Sequence, residues 1–240
     1  MNHLAIDTAT EVLSVALRVD GALSRAFHEV RDEGLRHARL LMPIVDDLLR
    51  QAALGPDQLD LVSCMRGPGS FTGLRIGMAT AKGLASAIAA LDALPRPPVV
   101  SVATLDVMAA ASGPADVIVA LIDARKGRYY AAVYRDGRRL SADLDVDPAG
   151  LLLHLGRILS GIDTKEVLLC GPHVSGFMNN VECRELPDGV RFVAGPDYRG
   201  GYAPVLLDLA ERRLQATGYD PVDQGPVYVR RSDAELSRET

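Results

Sequence analysis

The stretch RGPGSFTGLRIG (66–77) concentrates glycines, a proline, a serine and a threonine between the apolar run LVSCM and a long alanine-rich segment. Residues of these types can cradle a phosphate, hold a nucleophilic serine, or turn a strand tightly into a helix. A P-loop needs Lys and Ser or Thr after its last glycine, and here Leu74-Arg75 follows Gly73. The dinucleotide fingerprint needs a third glycine where Thr72 stands. A strand–turn–helix junction still offers N–H groups that favour an anion. Ser70 lies outside the G-x-S-x-G elbow and has no base visible in the sequence. The preferred reading is a tight structural turn, with Gly67 and Gly69 giving backbone freedom and Ser70 or Thr72 capping the helix.

Other reactive side chains are scattered. His3, His28, His37, His154 and His173 form no H-x-x-H, H-x-x-x-H or H-E-x-x-H pair, so no metal site is expected. His37, beside Arg36 and Arg39 at a helix start, reads as a solvated or capping residue. Cys64, Cys170 and Cys183 include no close pair and read as buried free thiols.

The elements that carry these residues repeat. LAID (4–7), VLSVALRV (12–19) and ALSRAFHEV (22–30) read as strands, with Asp20-Gly21 as a two-residue hairpin turn. A helix over 34–54, a strand at 60–65 and a helix over 72–91 follow. The second half runs DVIVALID, YYAAVY, the Asp136-Gly137 hairpin, RLSADLDV, the helix PAGLLLHLGRIL and the strand EVLLC. Asp7 precedes Asp20 by 13 residues, as Asp123 precedes Asp136, and the later strands end in CMRGP and CGP. Two β-β-β-α-β-α units in tandem predict an α/β fold of two ribonuclease H-like lobes, each a mixed sheet with helices, as in actin, Hsp70 and sugar kinases. The expected division is 1–106 for the N-terminal lobe, 107–217 for the C-terminal lobe with its last helix able to pack back on the first, and 218–240 as an extended tail.

In such a fold a ligand lies near the turns after the first strands, here DTATEVLS (7–14) and DARKGR (123–128). Asp7, Thr8, Thr10 and Asp123 are therefore the nucleotide-proximal candidates. A phosphate approaching the first turn would want glycine, and Thr8, Ala9 and Thr10 stand there instead. Their hydroxyls either contact a phosphate or metal-bound water, or close the turn themselves. A sugar-kinase-like phosphotransferase or ATPase built on these residues is the enzymatic alternative. The formal charge of −5 argues against this chain alone gripping nucleic acid. The N-terminus has no signal-peptide pattern, and the most apolar window (73–95) carries Arg75, Lys82 and Asp92, so a cytoplasmic protein with no membrane role is expected.

The helix after the glycine-rich turn is small or apolar nearly all round. Leu74, Met78, Ala81, Ala85 and Ile88 form one stripe, and in the 34–54 helix Leu41, Ile44, Val45 and Leu48 widen another. Together they predict a two-helix face larger than one lobe can cover, with Leu41, Ile44, Val45, Leu48, Leu74, Met78, Ala81 and Ala85 meeting a protein partner.

LAIDTATEVLSVAL, HARLLMP, RGPGSFTGLRIGMATAKGLA, SVATLDVMA, DARKGRYYAAVY and the terminal PVYVR resemble the bacterial TsaB (YeaZ) family over residues 4–230. The resemblance implies a non-catalytic subunit of tRNA threonylcarbamoyladenosine biosynthesis, acting at position 37 of tRNAs that read ANN codons. It implies pairing with the catalytic paralogue TsaD through N-terminal-lobe helices, with the ATPase TsaE joining and a homodimer forming when TsaD is absent. Contact with tRNA would come only through the complex, and ATP or ADP, if held at all, would sit at the junction with the partner. The paralogue's H-x-E-x-H metal motif corresponds here to Thr104-Leu105-Asp106-Val107-Met108, whose threonine and methionine will not hold a divalent ion as two imidazoles would. Its later metal-ligating aspartate would fall near Arg199-Gly200-Gly201-Tyr202-Ala203, which has no acid, and Arg128 stands where the family often has an acid. The resemblance thus implies no catalytic residue and no metal.

Overall fold

A computed structural model describes residues 1–30 (24–30 by backbone only), 37–91, 97–180, 186, 189–196 and 201–230. Cys183, Arg36 and the 34–36 start of the expected first helix, Arg199, Gly200, the His28 side chain and the terminal 231–240 lie outside the described residues.

The chain divides into two compact units, Met1–Val107 with Tyr198–Pro226, and Met108–Asp197 with Val227–Thr240. In the first, β1 (His3–Asp7), β2 (Val12–Val19) and β3 (Ala22–Val30) form an antiparallel meander. After α1 (His37–Gln51) comes a 3-10 turn (Pro56–Gln58), then β4 (Leu61–Gly67), α2 (Phe71–Ala89) and β5 (Val99–Ala103). β4 pairs parallel to β1 and β5 parallel to β4, giving the order β3-β2-β1-β4-β5. α3 (Thr104–Ala111) carries the chain across the boundary.

The second unit repeats this plan. β6 (Val117–Asp123), β7 (Tyr129–Arg135) and the short β8 (Arg138–Arg139) and β9 (Leu144–Val146) make the meander. α4 (Pro148–Leu159), β10 (Glu166–Cys170), α5 (Val174–Asn179) and β11 (Arg191–Ala194) complete it in the order β11-β10-β6-β7-β8. The expected third strand RLSADLDV is thus two short pieces. Both hairpins turn as the Asp-Gly pairs require, with Asp20 and Gly21 at φ 49° and 82° and Asp136 and Gly137 at 49° and 71°. The matching CMRGP and CGP ends also hold Gly67 and Gly171 at similar φ, 116° and 121°. Both sheets therefore carry the tandem ribonuclease H-like topology that the repeat implied.

α6 (Ala203–Thr217) groups with the first unit, on which the sequence had allowed the last helix to pack back. The reason lies in the pleat of the sheet. One face carries Leu4, Ile6, Leu13, Val15, Leu17, Val62 and Cys64 and packs against α1 and α2. The alternate residues His3, Ser14, Arg18 and Ser63 are polar, and α6 covers them. His3 Nδ1 lies 2.9 Å from Glu211 and its Nε2 2.8 Å from Ser63 Oγ. Arg18 bridges Glu211 at 2.9 Å and Asp208 at 2.6 Å, and Ala203 N donates to Ser14 Oγ. The segment after α6 is tied down as well: Asp220 accepts from Ser101 N and pairs with Arg213, while Lys82 Nζ donates to the Val222 and Gln224 carbonyls.

His3 is the centre of this polar layer, and its neutral tautomer with Nδ1–H facing Glu211 satisfies both neighbours. Replacing His3 by alanine takes its ring from the buried Ser63 hydroxyl and leaves Glu211 to Arg18, and is expected to cost about 2–4 kcal/mol in urea unfolding. Burial holds the His3 pKa below 6.5, so the unfolded chain binds its proton first on acidification. The contribution of His3 is then complete above pH 6.5 and fades as the pH falls. Wild-type stability should drop more steeply between about pH 7 and 5 than that of His3→Gln.

Candidate functional site

The glycine-rich turn meets the loop after β1 backbone to backbone. A Cβ on Gly69 would stand 2.4 Å from the Ala9 carbonyl oxygen, one on Gly73 2.0 Å from that of Thr8, and one on Gly77 2.4 Å from Thr8 Oγ1. Ser70 N donates to Ala9 O at 2.7 Å, and Thr8 Oγ1 donates to Gly73 O at 2.7 Å. Ser70 Oγ accepts from Gly73 N at 3.2 Å, which makes Ser70 the N-cap of α2, while Thr72 is exposed in the first turn. The hydrogen bonds of the turn thus go to the β1–β2 loop and to the start of α2. Its glycines at 69 and 73 serve close approach more than backbone freedom.

Asp7, Thr8 and Thr10 come together in this first unit, all buried. Asp7 Oδ1 accepts from Ala9 N at 3.0 Å, and Thr10 Oγ1 accepts from Val12 N at 3.3 Å, so these side chains close their own turn. Burial pushes the Asp7 carboxyl from 3.8 up to about 6, a poise that holds a proton close to neutrality. Asp123 lies in the second unit, where its Oδ1 accepts from Arg125 N at 2.7 Å and its own N–H donates to His173 Nδ1 at 3.1 Å.

A serine–histidine–carboxylate chain does exist, at Ser63, His3 and Glu211, but Ser63 and His3 have no exposed surface. A nucleophile without access to substrate has no reaction to perform, so this chain is a structural link. His37 is buried with Nε2 3.4 Å from the Glu11 carbonyl oxygen, contrary to the expectation of a solvated or capping residue. Cys64 and Cys170 are buried free thiols held up at about 12 by burial, as expected. Among the described residues no group of three or more His, Cys, Asp or Glu is placed to hold a metal ion. Nor is any helix among them long and apolar enough to cross a membrane.

The expected partner-facing set requires correction. Leu41, Val45, Leu48, Leu74, Met78, Ala81 and Ala85 are buried in the first unit, and Ile44 is half-buried against the same core. The sheet's own apolar face claims both helical stripes, so the surplus inferred from helix periodicity is absorbed within the lobe. The outward arcs are different residues. α1 turns out Ala38, Arg39, Met42, Pro43 and Asp46; α2 turns out Phe71, Arg75, Ala79, Gly83 and Ser86. Phe71 is 39% exposed, with the Arg75 guanidinium 3.9 Å over its ring. Steps of four residues from Phe71 to Gly83, opposite the buried stripe, were the signal in the sequence for this arc.

Two predictions follow from these packing distances and the buried carboxyl. Gly73→Ala drives a methyl into the Thr8 carbonyl and is expected to cost about 2–4 kcal/mol. Gly83→Ala meets nothing within 4 Å and should instead stabilise by about 0.5–1 kcal/mol through helix propensity. Denaturant midpoints of opposite sign in one helix check both. Asp7 keeps its proton in the folded chain up to about pH 6 but loses it near 3.8 when unfolded, so its ionisation costs stability as the pH rises through that window. Melting temperatures of Asp7→Asn relative to wild type should therefore climb from about pH 4 to 7, by an amount equivalent to about 3 kcal/mol at most.

The family model of TsaD, tRNA N6-adenosine threonylcarbamoyltransferase, matches residues 33–165. The tRNA threonylcarbamoyladenosine biosynthesis protein TsaB of Escherichia coli (strain K12) is 40% identical over 138 residues, covering 56% of this chain and 55% of that protein. The chain spans about half the length of the curated relatives it matches first. The structure of YeaZ from Pseudomonas aeruginosa is similar at TM-score 0.74 and 28% identity, over 95% of this chain and 99% of that one. A polyphosphate/ATP-glucomannokinase from Arthrobacter sp. strain KM shares the fold at TM-score 0.51 and 11% identity, over 88% of this chain and 99% of that one. With its glycine-rich turn packed on the β1–β2 loop, the chain belongs to the TsaB (YeaZ) family, within the wider group that the TsaD model describes.

Proposed function

We propose that this chain is a non-catalytic subunit of tRNA threonylcarbamoyladenosine biosynthesis that docks the transferase TsaD through the outward arcs of α1 and α2. The observation that carries this reading is the α2 surface itself. Phe71 stands half-open under Arg75, and Gly83 sits mid-helix with nothing within 4 Å of a Cβ placed there. Glycine inside a helix costs about 1 kcal/mol relative to alanine. Gly73 and Gly77 recover that cost by close approach to the β1–β2 loop, whereas Gly83 has no such reason among the described residues. A partner helix crossing closely at Gly83 supplies one, with Ala79 and Ser86 as small neighbours and Phe71 as an aromatic anchor.

The chemistry of the first loop supports the same reading. Thr8 and Thr10 spend their side chains on the turn, and the donors of Ser70 and Gly73 are already used. In this reading TsaE joins the pair, a second copy of the chain covers the arc when TsaD is absent, and ATP or ADP is held only at the junction with the partner. tRNA is then met through the complex.

Co-expression of the full chain with TsaD, followed by size exclusion, tests the reading. Wild type should elute with TsaD, and Phe71→Glu and Gly83→Leu should each weaken the complex at least about tenfold without loss of the chain's own fold. Arg157→Ala, on the last turn of α4, should bind as wild type. A wild-type chain that elutes alone from an equimolar mixture overturns the proposal.

A further inference from the structure

The segment PVYVR is a distinctive motif to which partner docking gives no role. Its arginine has a defined place in the second unit. Arg230 grips Asp145 with a two-pronged pair, Nε to Oδ2 and Nη2 to Oδ1, both at 2.7 Å. Its third arm, Nη1, donates to the Ala124 carbonyl at 3.1 Å, and its guanidinium lies 5.9 Å from the centre of the Tyr130 ring. The planar fork of arginine fits a carboxylate in this way, and a lysine offers only a point charge.

Asp145 is the hub of the arrangement. It sits on β9 opposite Tyr130 of β7, so its backbone is fixed by the sheet. A second arginine, Arg128, donates from Nε to Asp145 Oδ1 at 2.8 Å and from Nη2 to the Asp145 carbonyl. Hydrogen bonds from Arg230 and then from Arg128 hold the Asp145 carboxyl below the usual carboxylate range.

Between the two points that these arginines pin runs an unusual backbone. Arg125, Lys126 and Gly127 stand in succession at φ 63°, 57° and 70°. Left-handed residues other than glycine are costly and persist only where their surroundings hold them. Ala124, just before the run, is closed by its own N–H to the Arg128 carbonyl and by Arg230 on its carbonyl oxygen. Arg128, just after it, is tied to Asp145. Both ends of the left-handed run thus touch the same arginine–aspartate–arginine cluster, which adds to the local bonds from Arg125 N to Asp123 Oδ1 and from Arg128 N to the Arg125 carbonyl.

We propose that Arg230 is a clasp through which the C-terminal segment holds the loop Asp123–Arg128 in its left-handed form. Release of the segment frees the Ala124 carbonyl and leaves Asp145 with one arginine, so the loop relaxes toward ordinary right-handed conformations. The exposed cations Arg125 and Lys126 are then no longer presented in fixed positions. The state of the chain's end is in this way read out at a loop more than a hundred residues earlier, without any change in the sheet beneath it.

Hydrogen exchange followed by mass spectrometry on the full chain tests the clasp. In Arg230→Ala the amides of 124–128 should exchange roughly tenfold faster or more, while those of β6 and β7 stay as in wild type. Arg230→Lys should restore only part of the protection, because it cannot hold Asp145 and Ala124 at once. Unchanged exchange at 124–128 in Arg230→Ala overturns the proposal, as does full protection in Arg230→Lys. Should Arg230→Ala loosen β6 and β7 as well, Asp145→Asn, which keeps the side chain's shape and removes its charge, gives the same reading. Loop amides as slow as wild type in that variant count against the clasp, and faster ones over a protected sheet support it.

Discussion

The contact on which the first unit depends is the seating of the glycine-rich turn on the loop after β1. Two stretches of main chain lie so close that no side-chain carbon fits at Gly69 or Gly73, and the Thr8 hydroxyl fills the space beside Gly77. Hydrogen bonds run both ways across the contact, from Ser70 N to Ala9 O and from Thr8 Oγ1 to Gly73 O. This fixes the direction in which α2 leaves the sheet. Direction then decides which stripe of α2 meets β1, β2 and β4, and so which arc is left facing outward. The same contact occupies donors that a phosphate loop would leave open: Ser70 N is given to Ala9 O and Gly73 N to Ser70 Oγ, while Thr8 and Ala9 take up the space.

A second constraint comes from the other side of the sheet. An antiparallel meander with alternating leucine and valine reads as one buried and one wet face. Here both faces are covered, one by α1 and α2 through apolar packing and the other by α6 through paired polar groups. The polar layer is workable because nearly every member has a partner: His3 between Ser63 and Glu211, and Arg18 between Glu211 and Asp208. Burying such groups stabilises little by itself, but it fixes α6 in a single register, since a slip would leave several charges unmatched.

What was legible in the sequence follows from this. The strands 12–19, 22–30 and 166–170 and the helix 148–159 match their residue limits, because their periodicity and the Asp-Gly turns are local signals. The tandem repeat was also visible, since turn offsets survive where side chains do not. Packing of the last helix on the first lobe was foreseen, but not its partners, because the contacts of His3 with Glu211 and of Ser14 with Ala203 join residues distant in sequence. The partner-facing residues were misread for the complementary reason. Helical periodicity identifies an apolar stripe but does not say whether a sheet or a second protein receives it, and here the sheet receives Leu41, Leu74 and Met78. The residues left over, among them Phe71, Arg75, Ala79 and Gly83, face outward.

The packing of the first loop and the outward arc of α2 are then linked through one helix. In a nucleotide-binding lobe of this architecture the turn after β1 must stay open to let a phosphate approach main-chain donors. Filling that turn with Thr8, Ala9 and Thr10 and pressing the glycine-rich turn onto it closes the opening and, in the same step, braces the start of α2. A rigidly braced helix can carry an exposed Phe71 and a bare Gly83 without distortion, where a loosely seated one would relax to bury them. Docking by pre-set surfaces costs less ordering than docking by mobile ones. The packing that fills the first loop is therefore the packing that makes the outer arc of α2 a firm surface.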